Sequence, residues 1–177
     1  MFVTASNLCY TMGSNNTGQL GINMPYVEAK HSPVLVDSLL NFKLQAVSCG
    51  RNHTLVLTRL GDAMSWGNND FGQCGTNNNH VTYAPHSVNF DQYYRPNIKQ
   101  INAGSHHSAF VDEIGRLFMC GKGDQGQLGL GSTGDELTPF YVSRIADKVA
   151  EVACGEEHSI VLTVKGEVFA MGSNRKG

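Results

Sequence analysis

The residues of this chain that could do chemistry are loop glycines and regularly spaced histidines. The stretch GSNNTGQLG at 13–21 resembles a loop that offers backbone N–H groups to a phosphate, and GKGDQG at 121–126 fits G-x-G-x-x-G. One phosphate needs one such loop. Near-copies return as GNNDFGQCG at 67–75 and GKGDQGQLG at 121–129, and GSNRKG begins at 172. The third copy runs on into QLGLGSTGD, which cannot open a helix, so the dipole of a dinucleotide site is missing. Its middle residue, Gly123, is replaced by Asn15, Asn69 and Asn174 in the other copies. Glycine and asparagine both tolerate left-handed backbone, so the expected role is a tight turn, and no cofactor is expected.

His53, His107 and His158 stand at equivalent places, 54 and 51 residues apart. Spread over successive repeats they are too far apart to share a metal, and the expected role is a turn histidine bonded to backbone. His106 adjoins His107, and His80 and His86 lie in a loop, but no motif sets a serine or cysteine nucleophile beside any of them. The carboxylates of GDE at 134–136 and GEE at 155–157 read as solvated turns. Side-chain catalysis is therefore not expected, and no catalytic residue is assigned.

A length of 177 residues with 41% hydrophobic and 8% aromatic content can bury a proper core. The net charge of −2 and the lack of a Lys/Arg run give no footprint for nucleic acid or anionic membrane. No apolar run reaches the length of a membrane span or signal peptide, so the expectation is an intracellular protein, cytoplasmic, nuclear or ciliary. Five cysteines without a C-x-x-C pair suit reduced thiols. Cys49 and Cys154 share a repeat position with Ala103, which suggests a small buried slot.

Gly13, Gly67, Gly121 and Gly172 are 54, 54 and 51 residues apart. Gly50, Gly104 and Gly155 march in step, each three residues before a repeat histidine. Gly50 to Gly75 and Gly104 to Gly129 both span 25 residues, whereas the stretches between these cassettes vary, which separates packed backbone from surface loop. Each cassette carries two β-rich runs about a glycine turn: HTLVLT and DAMSWG, HSAFVD and RLFMCG, HSIVLT and EVFAMG. Two more strands are expected before each pair, PVLVDSL and LQAVSCG, PHSVNF and IKQINAG, PFYVSRI and VAEVACG. No stretch has helical periodicity. Four short antiparallel strands recurring every 50-odd residues predict an all-β chain of propeller blades.

The pattern G-x-N-x-x-G-Q-L-G with (A/C)-G-x-x-H-(S/T) resembles the regulator of chromosome condensation repeat family, across almost the whole chain. The resemblance implies a seven-bladed β-propeller, of which about three blades are present. Its repeats divide the chain into 1–12, the end of one repeat; 13–66, 67–120 and 121–171; and 172–177, the start of the next. Asn7 stands where Gly61, Gly115 and Gly166 recur, and Cys74 replaces Leu20 and Leu128. Three repeats cannot close a ring of seven, so a portion of a longer protein is expected, with the first blade completed by strands from the far carboxyl end if Met1 is the true start.

On this reading the function is that of an interaction scaffold whose loops dock other proteins, a multi-protein assembly of ciliary or cytoskeletal kind among them. Tyr93, Tyr94 and Arg95 are the foremost candidates, with Tyr26 and Tyr83 in neighbouring loops, because tyrosine and arginine are enriched at interface hot spots. The alternative is guanine nucleotide exchange on a Ran-like small GTPase, which needs no catalytic triad. In the resembled family exchange uses a wedge inserted in one blade, and none of the three linkers here carries an extra segment. Light sensing, which in a plant relative depends on clustered tryptophans, is disfavoured by the single Trp66.

Overall fold

The computed structural model describes residues 1–175. It is all-β, with four antiparallel sheets. The first holds β1 (Phe2–Val3), β2 (Cys9–Ser14) and β3 (Ala29–Leu35), followed by a 3-10 turn, Asp37–Leu39. The second runs β4 (Leu44–Cys49), β5 (His53–Thr58), β6 (Ala63–Gly67) and β7 (Thr82–Ser87). The third runs β8 (Ile98–Ala103), β9 (His107–Asp112), β10 (Leu117–Gly121) and β11 (Glu136–Tyr141). The fourth holds β12 (Val149–Cys154), β13 (His158–Thr163) and β14 (Val168–Gly172). Sheet limits are offset from repeat limits: the repeat that begins at Gly13 starts inside β2 and ends inside β6.

Alternating side chains give every strand two faces, and the second and third sheets each bury one face against the sheet before and the other against the sheet after. Three apolar clusters fill the three junctions. Cys9, Val36, Leu44, Val56, Met64 and Trp66 join the first and second sheets. Leu55, Leu57, Ala63, Ile98, Phe110 and Phe118 join the second and third. Val111, Leu117, Met119, Val149, Val152 and Val161 join the third and fourth. The first strand of each later sheet is the wedge, since β8 packs on β4 and β5, and β12 packs on β8 and β9.

The hairpins inside the sheets close alike. Gly61, Gly115 and Gly166 sit at φ of 83°, 89° and 86°, and Asn7 at 64° does the same in the first sheet. Each donates its N–H to the carbonyl three residues earlier, Thr58, Asp112, Thr163 and Thr4 respectively. Asparagine is the side chain that best tolerates this region, which accounts for the exchange.

The outermost strands lie earlier than the sequence suggests. The expected PVLVDSL, PHSVNF and PFYVSRI contribute only their first residues to β3, β7 and β11. A register shift before Gly13, Gly67 and Gly121 bends each strand, after which Val36, Val88 and Val142 turn inward. Their N–H groups donate to the carbonyls of Cys9, Ala63 and Leu117 at 2.9, 3.0 and 2.9 Å. The apolar signal thus marks the turn-in, while the strands themselves are polar and half exposed. Pro33, Pro85 and Pro139 share one position in these strands and remove a backbone donor at the sheet edge, a guard against further pairing.

The small buried slot expected at Cys49, Ala103 and Cys154 is not one. Cys49 is exposed, while Ala103 and Cys154 are half-buried and pack against the clusters of the second and third junctions.

Candidate functional site

The glycine loops spend their donors on themselves. Gly18, Gly72 and Gly126 have φ of 76°, 84° and 79° and donate to the carbonyls of Asn15, Asn69 and Gly123 at 2.9, 2.9 and 2.8 Å. Gly21, Gly75 and Gly129 donate to those three glycines in turn. The repeat glutamines Gln19, Gln73 and Gln127 accept through Oε1 from the N–H of Thr17, Phe71 and Gln125. A loop whose N–H groups are thus paired has few left to cradle a phosphate.

The Asn/Gly exchange has a different cause from the one expected. Neither Asn15 nor Asn69 has positive φ, and nor does Gly123. The two asparagines are buried ties: Oδ1 accepts from Leu20 or Cys74, and Nδ2 donates to Met24 and Val27 or to Asn78. In the third copy a Cβ at Gly123 would overlap the Gly134 carbonyl, and Asp135 Oδ1 accepts the Gly123 N–H at 2.9 Å instead. Backbone fills the space that the asparagine side chain takes elsewhere.

The repeat histidines open β5, β9 and β13, and their partner is not backbone. His53 Nε2 meets Ser108 Oγ of the third sheet at 2.9 Å, and His107 Nε2 meets Ser159 Oγ of the fourth at 2.8 Å. The serines donate onward to the carbonyls of Gln73 and Gln127, at 2.7 and 2.9 Å, so each hydroxyl must accept from an imidazole N–H. Both rings are therefore Nε2–H tautomers with Nδ1 buried and without a partner. Burial pushes His53 down to about 3 and His107 down to about 4, with neighbouring imidazoles adding a smaller push the same way. Neutral and locked between sheets, they are ties and not bases poised for catalysis.

Gly50 and Gly104 complete the arrangement. A Cβ on either would press into the imidazole that follows it and into the next repeat's carbonyl, Gly104 or Gly155. Ser108, Ser159 and Thr54, whose hydroxyl donates to the Gln19 carbonyl at 3.0 Å, were not singled out from the sequence. Their signal was present as the Ser or Thr that directly follows each repeat histidine.

Burial also raises the thiols of Cys9 to about 11 and of Cys74 and Cys154 to about 12, and it raises Cys120 as well. Among the described residues no group of three or more His, Cys, Asp or Glu side chains could hold a metal ion.

The docking candidates do not share one surface. Tyr26 is 97% exposed in the β2–β3 loop, and Tyr93 is 85% exposed in the β7–β8 linker. Antiparallel strands send these two connections to opposite edges of the sheets. Tyr83 is half-buried between sheets, its carbonyl accepting from Asn23 N at 2.7 Å.

Tyr94 is 37% exposed, and its ring packs with Phe118 and Tyr141 at centroid distances of 5.5 and 5.6 Å. Arg116, which no sequence motif marks, clamps the linker. Its guanidinium lies 5.4 Å from the Tyr94 ring, Nη2 donates to the Tyr94 carbonyl at 3.2 Å, and Nε donates to buried Asp112 at 2.6 Å. Asp91 accepts from the N–H of Tyr93 and Tyr94. Arg95 is exposed with φ of 35°, a strained value for a residue that precedes proline.

The interlocked sheets and their loops agree with a comparison of family models. The regulator of chromosome condensation (RCC1) repeat matches residues 6–57, 61–111 and 115–162. The chain belongs to the RCC1 repeat family. Among RCC1-repeat relatives, the human X-linked retinitis pigmentosa GTPase regulator is 38% identical over 99% of this chain and 22% of its own length. The crystal structure of human WBSCR16 shares 28% identity and a TM-score of 0.79, over 92% of this chain and 42% of its own. That of Saccharomyces cerevisiae Prp20p, described with its binding to Gsp1p and histones, aligns at a TM-score of 0.80 and 23% identity over 98% and 42%. The chain thus spans about a fifth of the GTPase regulator and less than half of either solved propeller.

Proposed function

We propose that this chain is a non-enzymatic docking scaffold and that Tyr93 anchors its protein partner. The observation that carries the reading is the β7–β8 linker, where a rigid base holds one free aromatic ring. Arg116, Asp112 and Asp91 fix the backbone around Tyr94, while Tyr93 stands in solvent beside strained Arg95. A side chain presented without loop ordering on binding loses little entropy when a partner covers it. Tyr26, on the opposite edge, would serve a separate contact. The five free cysteines, several of them deeply buried, suit a reducing, intracellular setting, in which we place a cytoplasmic, nuclear or ciliary assembly.

The test is co-purification from the source cells with wild type, Tyr93→Ala and Tyr26→Ala. A partner retained by wild type and Tyr26→Ala but lost by Tyr93→Ala supports the reading. Identical recovery with all three sinks it.

A second reading is favoured by the relatives' names: a GTPase regulator, and a protein described with its binding to Gsp1p. On that reading the partner is a Ran-like small GTPase whose nucleotide this chain helps to release. Nucleotide release from such a GTPase, measured with and without the chain, decides it: acceleration supports exchange, and an unchanged rate removes it.

A further inference from the structure

A groove runs beside the turn of the central hairpin on the edge where Tyr93 stands, and the second and third sheets fill it differently. In the third, Phe118 of β10 and its cross-strand partner Tyr141 are covered by the Tyr94 ring. Arg116 caps this stack, its guanidinium 5.5 Å from the Phe118 ring and its Nε bonded to Asp112. The equivalent pair in the second sheet is Met64 and Ser87, too small to repeat the stack. A groove of about 350 Å³ opens there, between Phe42 of the linker that enters the sheet and Phe90 and Pro96 of the one that leaves it. The matching space in the third sheet, where Arg116 and Tyr141 stand for Asp62 and Ser87, is about 70 Å³.

The charge at the groove is inverted as well. Asp62 has the place of Arg116, and Thr58 that of Asp112. The Asp62 carboxylate accepts only from the Thr58 hydroxyl, at 3.4 Å, and among the described residues no cation pairs with it. We propose that this groove takes an arginine side chain of a partner protein, whose guanidinium pairs with Asp62 and stacks on exposed Phe42. The occupant supplies from outside the cation that the third sheet draws from its own chain, where Asp112, Arg116 and Tyr94 form the same set of carboxylate, guanidinium and ring. The inference rests on the scaffold reading only in that the arginine belongs to a protein.

Size and chemistry select this occupant. The groove is at the lower end of the roughly 300–1,000 Å³ typical of small-ligand sites, and it suits one side chain rather than a helix or strand. A guanidinium is planar and weakly hydrated, so it lies on an aromatic face while two N–H groups meet one carboxylate, whereas an ammonium meets the carboxylate as a point charge. An acidic or phosphorylated segment would bring like charge to Asp62. An uncharged aromatic side chain would cover the carboxylate and leave it unpaired.

The test titrates N-acetyl-arginine amide into the chain and follows the amide proton–nitrogen NMR signals. Those of Gly61, Asp62, Ser87 and Phe90 should shift together and saturate with a Kd on the order of 1 mM, the weak affinity open to a ligand of this size. Asp62→Asn, which still accepts from Thr58, should weaken binding about tenfold. The citrulline analogue, uncharged and of the same shape, should lose as much against the wild type, and the lysine analogue should fall between. Asp62→Arg, which gives the second sheet the charge of the third, should abolish the shifts. Glu113→Gln removes one exposed charge from the neighbouring hairpin turn and should leave Kd within about twofold. Absence of saturable shifts at these residues overturns the proposal, as does equal binding of the citrulline analogue or an unchanged Kd in Asp62→Asn. Equal weakening by Glu113→Gln also overturns it, because the attraction would then be that of diffuse charge. The probe reads the groove without any partner protein, so failure of Tyr93 as an anchor in co-purification would leave this result standing.

Discussion

The third and fourth sheets are built from the same repeat yet differ in burial. Every residue of β9 and β10 is buried, while β13 alternates and β14 is exposed or half-buried throughout. Leu117 is 1% exposed and its counterpart Val168 66%. The sequence of a blade fixes its hairpins and hydrogen bonds, but its apolar side chains leave water only when another blade arrives. In this fold the stabilising unit is the junction between sheets rather than the sheet, as expected of repeat arrays.

That contrast predicts graded effects, of which the pH response is the largest. His53 and His107, at the two junctions that hold a histidine–serine tie, are depressed from an ordinary value of 6.5 to about 3 and about 4. The unfolded chain therefore takes up protons first. Their contribution is complete above pH 6.5 and is lost as pH falls through the folded values, at up to about tenfold in the folding constant per pH unit for each. Urea titrations from pH 7 to 4 should show this fall, and a His53→Gln, His107→Gln variant should flatten it.

Truncation comes next. Leu117→Ala should cost about 2–5 kcal/mol, and Val168→Ala within about 0.5 kcal/mol of nothing, read as shifts of the urea midpoint at constant slope. Equal costs would mean that the fourth sheet's face is already covered in solution.

A smaller difference separates Gly72→Ala from Gly126→Ala. Both carry the left-handed penalty of about 1–2 kcal/mol, but only Gly72 faces backbone of the next sheet, at 2.6 Å. Gly72→Ala should cost a further ~1–3 kcal/mol, which thermal melts of the two variants would resolve.

Much of this architecture could be read before any coordinates. The period of 50-odd residues gives the blades, and the paired β-rich runs at 53–58 and 62–67 give the central hairpins to within a residue. The outer strands were misplaced because their polar residues, such as Thr82 to Ser87, carry no apolar alternation, and the buried Val88 beyond them does. The role of His53 could not be read because its partner, Ser108, lies 55 residues off in sequence, and that of Asn15 because its amide ties to backbone carbonyls, of Met24 and Val27, which no residue type marks. Among the docking candidates the sequence could not separate Tyr93 from Tyr94. What distinguishes them is Arg116, 22 residues further on.

The central claim is that the repeat histidines join neighbouring sheets through the following repeat's hydroxyl. A double-mutant cycle on His53→Ala and Ser108→Ala, by urea unfolding at pH 7, tests it most directly. The account predicts a coupling of about 1 kcal/mol or more, because the partner left behind by either single change is buried and unsatisfied. Additive effects, with coupling below about 0.3 kcal/mol, would contradict it.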